Sequence, residues 1–189
     1  MKIKLGIILL VGLMSSAFAY AQTDVDFKPK ALVKALQKAG LEDTSVIEEI
    51  KPAKDLYSAE GINGKYFLIK EDTENNYRYI YVGRVNSCRA GGCSIPGEMA
   101  NSAESEYFDY YILFNENKTV EAVKVFNYQA THGQEITARG WLKQFLGYDG
   151  SEPLVVDKNI DTISGATISV YAITIDVEMK TEILKKFSI

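Results

Sequence analysis

Two runs rich in aromatic and β-branched residues, Tyr107 to Phe114 and Thr119 to Asn127, are separated by only Asn115-Glu116-Asn117-Lys118. Four residues make a hairpin loop, so this pair predicts two antiparallel strands. The same residue types recur at Tyr77 to Arg84, and a shorter run, Lys65 to Lys70, follows the turn signal Asn63-Gly64. Residues 85 to 105 hold Gly91, Gly92, Pro96 and Gly97 and read as a long loop, of the kind that is functional or pinned. Helical spacing appears on either side of the strands. Leu32, Ala35, Leu36 and Ala39 share one face of a helix over Lys30 to Ala39, begun near Pro29 and stopped by Gly40. Leu41 to Lys54 is also helix-like, ended by Pro52, and Thr137 to Phe145 reads as a short helix. Ile160 to Ile189 closes the chain as one long element. Helices, a meander of antiparallel strands, then helices again predict an α+β domain.

The N-terminus reads as an address. Lys2 and Lys4 precede an apolar run from Leu5 to Met14, and Ala17-Phe18-Ala19 and Ala19-Tyr20-Ala21 offer small-x-small cleavage sites. This is the layout of a secretory signal peptide over residues 1–21, and an uncleaved anchor is the alternative. The mature chain would then divide into a helical segment, 22–62, and an α+β domain, 63–189, in the periplasm or another extracytoplasmic space. Its charge would be 19 Lys and Arg against 25 Asp and Glu. An acidic chain is a poor nucleic-acid binder, because that binding rests on clustered basic residues that neutralise phosphates. One histidine and two cysteines are too few for a zinc ribbon, a four-cysteine cluster or a multi-histidine metal centre. In an oxidising compartment Cys88 and Cys93, with four residues between them, read as a disulfide, and a redox-active dithiol is the alternative.

The stretch Asp161-Thr162-Ile163-Ser164-Gly165-Ala166-Thr167-Ile168-Ser169 carries the chemistry. Ser164 suits a helix N-cap, and Val170, Ile173, Val177, Leu184 and Phe187 follow at helical spacing. Many β-branched residues between Ile168 and Val177 leave a strand open for part of it. A helix starting here would aim free N–H groups and its positive end at a phosphate, with Gly165 allowing close approach and the Thr167 hydroxyl beside it. An N-cap with no ligand is the plain alternative.

Asp161 to Thr167 resembles the flavinylation motif of the FMN-binding domain family, which includes FMN-carrying subunits of the Rnf complex and of the sodium-translocating NADH:quinone reductase. In that family a flavin transferase joins FMN through its phosphate to the hydroxyl after Gly-Ala, which here is Thr167. Asp161, Ser164, Gly165 and Ala166 match the motif, and Thr162 departs from the usual Gly or Ala. The resemblance spans roughly residues 77 to 187 and includes the 107–127 hairpin and the Trp141-Leu142-Lys143-Gln144-Phe145 helix. Where Rnf-type members often have Glu-Thr-Pro-Gly, this chain has Thr131-His132-Gly133-Gln134-Glu135, which leaves the loop's flavin contacts open.

The resemblance implies FMN esterified to Thr167, with Ser164, Gly165, Ala166, Asp161, Ile168 and Ser169 around the attachment point. His132 would hydrogen-bond the ring or stand exposed, Gly133 would let the loop pass close to it, and Trp141 would be core or a ring neighbour. A chain this small has no room for FMN, a nicotinamide site and a large substrate pocket together. The implied function is therefore extracytoplasmic electron transfer between partner proteins, with possible association with a membrane electron-transfer system. An FMN-dependent reductase of a small acceptor, with His132 or Glu135 as proton donor, is one alternative, and a cofactor-free exported binding module is another.

Overall fold

The computed structural model describes residues 24–51, 63–89 and 105–187. The expected signal peptide lies outside these residues. So does Cys93, and Cys88 is described only through its backbone, so the expected disulfide falls outside as well.

Among the described residues, five antiparallel strands pair strictly in chain order: β1 (Ile47–Ile50), β2 (Gly64–Ile69), β3 (Tyr77–Arg89), β4 (Ser105–Asn115) and β5 (Val120–Tyr128). Strands consecutive in the chain commonly pair, and the β2–β3 and β4–β5 connections are short enough to favour it. Helix α1 (Lys30–Lys38) covers one face and α3 (Thr167–Lys185) the other. Between β5 and α3 lie a 3₁₀ turn (Gln134–Thr137), the short α2 (Arg139–Leu142) and a second 3₁₀ turn (Lys143–Phe145). The expected α+β meander packed by helices is this architecture.

Strand alternation divides the core into two layers. Tyr79, Tyr81 and Val85 of β3, with Phe108, Tyr110, Ile112 and Phe114 of β4, pack with Val170, Ile173, Val177 and Leu184 of α3. Ile80, Val82, Tyr111 and Leu113 turn the other way, onto Leu32 and Leu36 of α1. Arg84 and Asp109 sit opposite each other on β3 and β4, with side chains only 3% and 2% exposed. Arg84 Nε and Nη2 donate to the two Asp109 oxygens at 2.7 and 3.1 Å, and Asn127 Nδ2 donates to Asp109 Oδ2 at 2.7 Å. Burial opposes the Arg84 charge, but the bond to Asp109 and its charge outweigh this and raise the guanidinium pKa.

The structure departs from the sequence reading at two strands and decides one point left open. Residues 47–50 are not helix but the edge strand β1, Ile47 facing Ile69 and Ile50 facing Tyr66. Four residues give too little helical period to resist the free hydrogen-bonding edge of β2. The strand expected to end at Arg84 runs on to Arg89, and its partner starts at Ser105 rather than Tyr107, so the long loop is shorter than 85–105. The β-branched stretch after Ile168 is helix throughout. Packing decides this: Val170, Ile173 and Val177 are fully buried on the sheet. Thr174 and Thr181 donate their hydroxyls to the carbonyls one turn back, Val170 at 2.7 Å and Val177 at 2.8 Å, which lets them be buried.

Polar contacts fix α3 to the sheet as well. Tyr110 Oη donates to Asp176 Oδ2 at 2.5 Å, and Tyr66 Oη donates to the Lys180 carbonyl at 2.9 Å. Lys180, 1% exposed, reaches Asp176 Oδ1 at 3.1 Å.

Candidate functional site

The motif residues meet the sheet at the N-terminus of α3. Helix α2 and the 3₁₀ turn after it anchor the segment before α3: Trp141 Nε1 donates to the Asp161 carbonyl at 2.9 Å, and the Asp161 N–H donates to Gln144 Oε1 at 2.6 Å. Trp141 is therefore a half-buried anchor of the motif backbone, packed edge-on to Phe145, and not a wall of the cleft described below.

Ser164 does not cap the helix. Gly165 adopts φ +81°, the left-handed region open to glycine, and turns the chain so that Ala166 takes the cap position, with its N–H bonded to the Ile163 carbonyl at 3.0 Å. Ser164 is left exposed in the turn ahead. The first intrahelical bond runs from the Val170 N–H to the Ala166 carbonyl at 2.9 Å, so the N–H groups of Thr167, Ile168 and Ser169 precede it. No side-chain cap occupies them.

A cleft of about 280 Å³ opens in front of this turn, lined by Ser87, Glu106, His132, Gly165, Ala166, Thr167, Ile168 and Ser169. The structure thus brings together Gly165, Ala166, Thr167, Ile168, Ser169 and His132 from the predicted set. Asp161 and Trp141 hold the segment without lining the cleft, and Ser164 lies outside the lining. Thr167 and Ile168 are exposed at the mouth. Ser169 points the other way and is 2% exposed. It bonds Ser87 Oγ at 2.7 Å and Tyr128 Oη at 2.9 Å.

Tyr128 also donates to the His132 carbonyl at 2.5 Å and so ties the loop after β5 to α3. Burial raises the Tyr128 pKa against the opposing pull of the Ser169 and Ser87 hydroxyls, which keeps the phenol protonated at neutral pH. Gly133 lies over these hydroxyls at φ +87°, and a Cβ there would fall 2.5 Å from Ser169 Oγ and 2.9 Å from Tyr128 Oη. Its role is close packing of loop on helix. On the opposite lip Thr131 Oγ1 donates to Glu106.

Ser87, Glu106 and Tyr128 escape sequence reasoning. They come from three strands, far from the motif in the chain, and no spacing connects them to it. Among the described residues there is no group of acidic, histidine or cysteine side chains that would hold a metal.

The cleft fits part of an FMN molecule. It offers free helix N–H donors for a phosphate, an exposed hydroxyl beside them, and a glycine without a side chain at the approach. Its volume lies below the roughly 300–1,000 Å³ typical of pockets that engulf a drug-sized ligand. No curated protein matches the chain. The family model of the FMN-binding domain matches residues 107–178, a span that runs from β4 through Gly133 and the motif into α3. Residues 107–178 thus match an FMN-binding domain, and the match supports a flavin-binding protein.

Proposed function

We propose that the protein is exported, carries FMN covalently through a phosphoester to Thr167 Oγ1, and serves in extracytoplasmic electron transfer. One observation carries the choice of residue. Of the two hydroxyls at the start of α3, Thr167 is exposed at the cleft mouth, whereas Ser169 is buried and hydrogen-bonded to Ser87 and Tyr128. A transferase has to reach the hydroxyl it modifies, and a phosphate on Thr167 would lie at the free N–H groups and positive end of α3.

When bound, FMN supplies the redox chemistry, and the chain sets its placement and access. The cleft holds part of the cofactor and leaves the rest toward solvent, which suits electron exchange with a partner protein more than enclosure of a substrate. A covalent tether prevents loss of the cofactor outside the cytoplasm. The partners would be a flavin transferase for maturation and redox proteins on either side, with association with a membrane electron-transfer system one possibility.

The test is intact mass after expression with export and a flavin transferase. The wild-type chain should gain one FMN less one water, Thr167→Ala should lose the adduct, and Ser169→Ala should retain it. An adduct that survives Thr167→Ala would refute the assignment of the acceptor, and an unmodified wild-type chain would refute the covalent reading.

A further inference from the structure

The three hydroxyls under the cleft floor have a fixed direction. Tyr128 has one phenolic proton, and the His132 carbonyl can only accept it. Ser169 must therefore donate to Tyr128. That commits the Ser169 proton, so Ser87 must donate to Ser169. The chain of donors runs from Ser87 to Ser169 to Tyr128 to the carbonyl, and it cannot reverse, because a carbonyl has no proton to return. Ser87 is left with lone pairs and no proton to offer, at 1% exposure, in the wall of the cleft. Among the described residues of the cleft, Glu106 also accepts, from Thr131, whereas the groups that can donate, His132 and Thr167, belong to the loop and the helix start. The floor thus asks for a donor, whereas the helix end at the mouth supplies donors.

We infer that Ser87 Oγ accepts a hydrogen bond from N3–H of the isoalloxazine ring, so that the pyrimidine edge enters the cleft and the dimethylbenzene edge faces outward. This rests on the FMN reading above. N3–H is the one ring N–H of an oxidised flavin. A donor taken to a floor shielded from water must find an acceptor there, or it loses its hydrogen bond to solvent. The ring carbonyls and N5 of the oxidised ring are acceptors and would face Ser87 and Glu106 without a proton between them. Ribityl hydroxyls both donate and accept, and are satisfied equally well by water at the open mouth. The acceptor end of FMN, its phosphate, then meets the donors of α3, and the donor of the ring meets Ser87.

The experiment uses the exported, flavinylated protein carrying ¹⁵N-labelled FMN, with intact mass checked on the same sample. The N3–H signal should be protected from solvent exchange and show proximity to the Ser87 β protons. In Ser87→Ala its exchange should quicken roughly three- to tenfold, the factor for one hydrogen bond of ordinary net strength, and Ser87→Thr should restore the protection. The adduct mass should be unchanged in both variants. If Ser87→Ala does not fold, the wild-type signal decides by itself. An N3–H that exchanges as in free FMN overturns the inference, as does proximity of Ser87 to an N5–H seen only after reduction. A sample without the adduct mass fails the earlier reading instead, and this one with it.

Discussion

Gly133→Ala separates backbone strain from side-chain crowding at the cleft, because the chain supplies its own control. Gly133 and Gly147 have nearly the same left-handed backbone, φ +87° and +82°. Placing alanine in that region costs about 1–2 kcal/mol at either site. The surroundings differ. At Gly147 a Cβ would meet no atom within 4 Å among the described residues, whereas at Gly133 it would meet Ser169 Oγ at 2.5 Å and Tyr128 Oη at 2.9 Å. To admit the methyl group, either the loop lifts or the Ser169–Tyr128 bond breaks and leaves buried hydroxyls without partners, which adds about 1–3 kcal/mol. Gly133→Ala should therefore be less stable than Gly147→Ala by that margin. Urea unfolding of both variants, compared at unchanged m-value, reads the difference. Equal costs within about 0.5 kcal/mol, inside the scatter of surface substitutions, would show that the hydroxyl network does not hold the loop against α3.

Asp109→Ala should destabilise by about 3–5 kcal/mol, since it leaves the Arg84 guanidinium buried without its carboxylate, and the double variant Arg84→Met/Asp109→Leu should recover much of the loss. Chemical denaturation checks both, and a double variant no better than Asp109→Ala would refute the charge-burial account. Alkaline pH should unfold the protein through its tyrosines. Burial, joined by Asp176, raises Tyr110 well above its ordinary value, burial and Tyr77 push Tyr111 up to about 12, and burial and Glu178 push Tyr148 up to about 12. The folded state then holds protons that the unfolded chain gives up near pH 10, so stability is full below that pH and falls as pH rises from about 10 toward 12. Phenolate absorbance should show these tyrosines titrating together with loss of near-UV circular dichroism, and titration near pH 10 in a still-folded protein would refute the assignment.

The strands at 65–70, 77–84, 107–114 and 119–127 were readable because sheet residues declare themselves locally, through aromatic and β-branched side chains bounded by turn signals. Helix α1 was readable from its apolar face and Gly40. The segment 47–50 was not, because its identity as a strand comes from β2, whose free edge it completes. The helical state of 168–177 was likewise decided by burial against the sheet, which outweighs the propensity of β-branched residues.

The proposed attachment motif is contiguous, so Gly165, Ala166 and Thr167 were legible together, and the sequence by itself determined which segment would carry the candidate site. It could not determine which way each hydroxyl points. Thr167 at the mouth, Ser169 under the floor and Ser164 outside the cap follow from the turn that Gly165 makes and the first residues of α3. Ser87, Glu106 and Tyr128 lie on three strands, the first two lining the cleft and Tyr128 bonding Ser169 beneath it, and they meet through sheet pairing and the packing of α3 on that sheet. Contacts between residues far apart in the chain leave no period or spacing behind, and for that reason the walls of this site belong to the tertiary structure alone.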